Sequence, residues 1–114
     1  VFRASLGRMS LADLAAESRL RLAAMEKLGP GARADVAREA VELAELAREL
    51  AARSPRLLDS AQTGFRDTAL QLEVIAENLA ALAVEGREPH FQRQLRLARA
   101  RIEVIEEYLR RGVQ

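Results

Sequence analysis

The 114-residue chain has no cysteine and no tryptophan, and only three phenylalanines, one tyrosine and one histidine. Without cysteine there are no disulfides, no thiolate zinc sites, no cysteine-ligated iron–sulfur clusters and no cysteine nucleophile. So few aromatic rings leave the core to aliphatic side chains. Six glycines and three prolines are too few for a turn-dense β-sandwich or a low-complexity segment. Neither sign of charge dominates: 18 basic against 17 acidic side chains leave +1, which supplies no global field toward nucleic acid or an anionic membrane. No apolar run approaches the roughly 18 residues of a membrane span, so no membrane association is expected.

What is present is a helix-forming composition, with 22 alanines and 18 leucines in a chain that is 49% hydrophobic and 31% charged. The expectation is one soluble all-α domain over residues 1–114. Seventeen of the 18 basic residues are arginine, which reads as the codon usage of a GC-rich, bacterial genome. The chain begins at Val1 with no initiator methionine and no signal-peptide pattern, and so reads as a domain excised from a longer protein. The lack of cysteine leaves the compartment open, with the cytoplasm the expectation.

Four segments carry helical periodicity, over roughly 10–28, 31–53, 55–85 and 89–111. Ser10 and Asp13 resemble a capping box, and Leu11, Leu14, Ser18, Leu22, Met25 and Leu28 then recur at three-and-four spacing. Gly29-Pro30-Gly31 ends that segment. Val36, Ala40, Leu43, Ala47 and Leu50 form the stripe of the second, with Glu45, Arg48 and Glu49 on its polar side. The third keeps its rhythm through Leu58, Ala61, Phe65, Thr68, Leu72, Ile75, Leu79 and Leu82, which predicts one helix across Gly64 and makes a break near residues 60–64 the competing reading. Pro89 is placed at the first position of the fourth, which runs through Phe91, Leu95, Ala98, Ile102, Ile105 and Leu109 to Gly112. Short connections make sequence neighbours antiparallel, so the predicted fold is an up-down-up-down antiparallel four-helix bundle with a long third helix. The third helix would overhang the first. Either Phe2, Leu6 and Met9 fold back over the excess or a second subunit covers it.

The apolar stripes contain no metal ligand: Ser18 and Thr68 are their polar members, and each can return a hydrogen bond to a carbonyl one turn earlier. His90, at a helix start, has no partner with which to anchor a metal. The expectation is therefore no metal, no cofactor and no catalytic residue. Tyr108 is read as capping the core with its hydroxyl in solvent, and is assigned no functional role.

Two surface features remain. Only six of residues 55–84 are charged, against nine of residues 31–53. One residue back from each core position of the third helix lie Leu57, Ser60, Gly64, Asp67, Gln71, Val74, Asn78 and Ala81, a stripe of small, apolar or neutral polar side chains with Asp67 its one charge. It is either an internal second contact or a surface for another helix, with Gly64 allowing close approach. In the fourth helix, Arg93, Arg96 and Arg99 fall roughly along one side, as a phosphate-binding stripe would, or as a solvated face in which Arg99 pairs with Glu103. The leading functional expectation is a non-catalytic protein-interaction or oligomerisation module, with a protein partner or homodimer. The alternatives are a nucleic-acid-binding accessory domain and a ligand-sensing bundle. Closely packed alanine helices leave little volume for a ligand, so no small molecule is expected.

Overall fold

The computed structural model describes residues 2–29, 31–54, 59–86 and 88–111. A short helix α1 (Phe2–Leu6) precedes four long ones, α2 (Leu11–Leu28), α3 (Arg33–Ala52), α4 (Asp59–Glu85) and α5 (Glu88–Arg110). Each long helix packs on its sequence neighbour, and α5 returns to α2, closing an all-α four-helix bundle. Ion pairs show the direction of the chain: Arg19 of α2 meets Glu106 of α5, and Glu26, further along α2, meets Arg99, earlier on α5, so the two helices run antiparallel. The 42 Å long axis matches the roughly 40 Å expected of the 27-residue α4 at 1.5 Å per residue.

Local signals set the ends. The Ser10 hydroxyl accepts from the Asp13 amide at 3.0 Å, satisfying one free donor of the first turn of α2. Gly29 and Gly86, at φ of 78° and 75°, turn the chain out of α2 and α4 in a region that other residues enter only at a cost. The fifth helix starts at Glu88, so Pro89 is its second residue, still within the turn that needs no intrahelical N–H. The third predicted segment is a single helix through Gly64. Its predicted start at residues 55–58, and the predicted stop at Gly112, lie outside the described residues.

The core is aliphatic, as the composition requires, with Phe65 the one fully enclosed ring among the described residues. Ser18 and Thr68 donate to the carbonyls of Leu14 and Gly64, both at 2.8 Å, so neither hydroxyl goes unsatisfied. Alanine shifts the buried faces away from the expected ones. In α3, Ala44, Leu46 and Ala51 are buried beside the predicted stripe, and in α4, Ala69, Ala76 and Ala83 are buried, while Thr68 and Leu82 are only half-buried. Large side chains dominate a periodicity count, but small ones decide how closely two helices approach. The α3–α4 contact is the most extensive in the bundle, and both of its helices bury alanines at repeated turns.

The leading residues fold back on α3. Leu6 is buried, and Phe2 and Met9 pack against the core. Arg53, just past the end of α3, donates to the carbonyl oxygens of Leu6 and Met9 while its Nε is held 2.8 Å from Glu49. One guanidinium thereby ties the end of the short leading helix and the turn that follows it to the end of α3. Because Phe65 fills space that the surrounding aliphatic side chains cannot reach, Phe65→Ala should cost about 3–5 kcal/mol in chemical denaturation. An unchanged unfolding midpoint would contradict this placement of the core.

Candidate functional surface on the fourth helix

Helical rotation explains where the low-charge stripe falls. Residues advance about 100° each, and turning Ala69, Ala76 and Ala83 into the bundle carries Asp67, Val74 and Ala81 to the side opposite the core. Asp67, Gln71, Val74, Asn78 and Ala81 are all exposed there, Val74 to 55%, and Leu70 is exposed beside them at 43%. This stretch is therefore not an internal second contact. Leu57 lies outside the described residues, as does the side chain of Ser60. Val84, at the far end of α4, and Val41, on α3, add exposed aliphatic surface. At the α3 edge Arg48 holds Glu73 at 2.7 Å, with Glu77 at 3.9 Å, so these partners lie across the seam on α4.

Gly64 behaves differently from the rest of the stripe. It is half-buried, and a Cβ placed on it would come within 3.1 Å of Tyr108 Cζ and closer still to the hydroxyl. The close approach that this glycine permits is therefore made inside the bundle, to α5. Tyr108 is half-buried and packs edge-to-face on Phe65, with ring centroids 6.0 Å apart and planes at 73°. Its hydroxyl lies against the Gly64 backbone, where the sequence placed it in solvent. The signal that links the two residues is spatial and appears only once α4 and α5 are paired.

The arginines of α5 do not form one stripe. Each three-residue step falls about 60° short of a full turn, so Arg93, Arg96 and Arg99 wind across roughly 120° of the surface. Arg99 ends up facing α2, where its Nη2 lies 2.5 and 2.6 Å from the two carboxylate oxygens of Glu26. Its partner is thus Glu26 rather than Glu103. Arg93 and Arg96 are exposed and make no ion pair among the described residues. Further along the same seam Arg19 binds Glu106 through two hydrogen bonds of 2.7 Å. The hydrogen bond from Arg19 holds the Glu106 carboxyl below the usual carboxylate range, against the opposing effect of burial. On the α2–α3 side Arg21 gathers Glu17, Glu39 and Glu42 at 3.0–3.1 Å.

These networks join helices and neutralise one another. Among the described residues, no group of three or more histidine, aspartate or glutamate side chains is placed to hold a metal ion, and no helix is long and apolar enough to cross a membrane. Among the described residues, Leu70, Gln71, Val74, Asn78 and Ala81 on the outward side of α4 take part in none of these ion pairs.

The Gly64–Tyr108 contact has a measurable sign. Glycine to alanine inside a helix ordinarily stabilises by about 1 kcal/mol. Gly64→Ala should instead destabilise the chain, and should recover the ordinary gain in a Tyr108→Ala background. Denaturation of the four members of that cycle checks it, and equal effects in both backgrounds would contradict the contact. No protein-family model, no curated protein and no solved structure matches this chain.

Proposed function

We propose that the domain is a non-catalytic association module that pairs with a second copy of itself through the outward side of α4. The observation that carries this reading is the exposed row of Leu70, Gln71, Val74, Asn78 and Ala81, uncharged between Asp67 at one end and Glu77 at its side, on a chain that is 31% charged. Interface centres are depleted of charge in the same way. Antiparallel packing of two α4 helices about a twofold axis at Val74 brings each Val74 against its copy. It also places Leu70 of one chain near Asn78 of the other. Glutamine and asparagine can bond across the axis and fix the register.

The length of α4 lends the reading no weight. The leading segment packs on the core beside α3, so what supports association is the composition of the α4 surface alone. A nucleic-acid contact through α5 is supported less well, since Arg99 is engaged by Glu26 and the exposed neighbours of Arg93 and Arg96 include no phenylalanine, tyrosine or tryptophan for base stacking.

Light scattering across a concentration series tests the reading. The wild-type chain should form a dimer, and Val74→Glu, which places two carboxylates on the axis, should dissociate it. As a surface substitution it should lower the unfolding free energy of the monomer by no more than about 0.5 kcal/mol. A wild-type chain that remains monomeric at millimolar concentration, or a dimer indifferent to Val74→Glu, would overturn it.

A further inference from the structure

At the end of the bundle where α2 gives way to α3 and α4 to α5, the helices line a half-open cavity of about 130 Å³. Its walls include the side chains of Met25, Val36, Leu82 and Phe91, contributed by all four long helices. Arg33, the first residue of α3, also lines it. The Arg33 guanidinium lies over Gly86: a Cβ there would fall 2.7 Å from Arg33 Cζ and 2.5 Å from Nη2. Gly86 therefore serves two purposes, turning the chain at φ 75° and leaving room for the arginine.

The charges around the opening are unequal. Glu26 reaches the cavity but both its oxygens are engaged by Arg99. Arg33 makes no hydrogen bond or ion pair among the described residues. A pocket walled by both apolar and polar groups, with the exposed Arg33 guanidinium unpaired among the described residues, has the two elements that recognise an anion with a hydrophobic body. Size narrows the choice, because an apolar cavity of roughly 150 Å³ accommodates a benzene ring.

We infer that this cavity is a binding site for a small monocarboxylate with a compact apolar body of about one ring, the body among Met25, Val36, Leu82 and Phe91 and the carboxylate on Arg33. The planar fork of arginine suits the two oxygens of a carboxylate better than a single hydroxyl. Leu82 and Ala83 of α4 and Gly86 just past its end line the site, and none of them is a member of the exposed row, so the inference does not rest on self-association.

Benzoate is the probe, with benzyl alcohol as its uncharged counterpart, each titrated into the full chain and followed by the NMR resonances of the Met25, Val36 and Leu82 methyl groups and the Phe91 ring. Benzoate should give saturable shifts at those groups and bind about tenfold or more tightly than benzyl alcohol. Arg33→Gln should remove that preference while leaving benzyl alcohol binding unchanged. Ala83→Leu, which fills the chamber from a wall residue and leaves Arg33 in place, should abolish binding of both. The inference is overturned if benzoate causes no saturable shifts, if they arise away from the cavity, if benzyl alcohol binds equally well, or if the preference survives Arg33→Gln.

Discussion

The close approach of α3 to α4 is the contact on which the rest of the bundle depends. Alanine recurs on the buried faces of both helices, as Ala40, Ala44, Ala47 and Ala51 on one and Ala69, Ala76 and Ala83 on the other. A methyl group contributes little hydrophobic area, but it lets two backbones come near enough for Leu43, Leu46, Leu50, Leu72 and Leu79 to pack at the density of a protein interior. Burial of the alanines fixes the rotation of α4. The remaining arrangement follows from that rotation: Phe65 turns inward, Gly64 meets Tyr108 of α5, and the low-charge row turns outward.

Electrostatics then selects the register within a packing that apolar contacts alone would leave less sharply defined. Along the α2–α5 seam, moving from Arg19 to Glu26 on one helix moves the pairing from Glu106 to Arg99 on the other, seven residues each way and with the charges exchanged. A slip of about one turn toward the end of α5 would set Arg19 against Arg110 and Glu26 against Glu103, like charges at both places. Single ion pairs at such exposure contribute modestly to stability, so their effect lies in discriminating against the wrong register.

The helices were legible in the sequence because large apolar residues and glycine, proline and serine punctuation mark them directly. Ser10, Gly29 and the unbroken rhythm across Gly64 all correspond to observed features. The rotation of α4 was not legible to the same degree, because alanine is compatible with either a core or a surface position and periodicity gives it little weight. Thr68 and Leu82 therefore stood in for Ala69 and Ala83. Gly64 fell in the stripe for a reason that holds only in three dimensions, its contact with Tyr108, and Arg99 faced α2 because three-residue spacing winds round a helix instead of following one line. The cavity at the α2–α3 and α4–α5 end is formed by four helices at once, and no local pattern announces it.

Because the sequence contains no cysteine, what meets the outward side of α4 can be measured directly. A nitroxide attached at a single introduced cysteine, Arg66→Cys, exposed on α4 outside the row, is mixed with isotope-labelled chain that carries no nitroxide, and the broadening of amide signals in the second chain is recorded. Pairing about Val74 predicts broadening centred on α4 of the second chain, strongest around Leu82. Broadening centred on another helix, or none at concentrations where the label itself leaves the fold intact, would contradict the account.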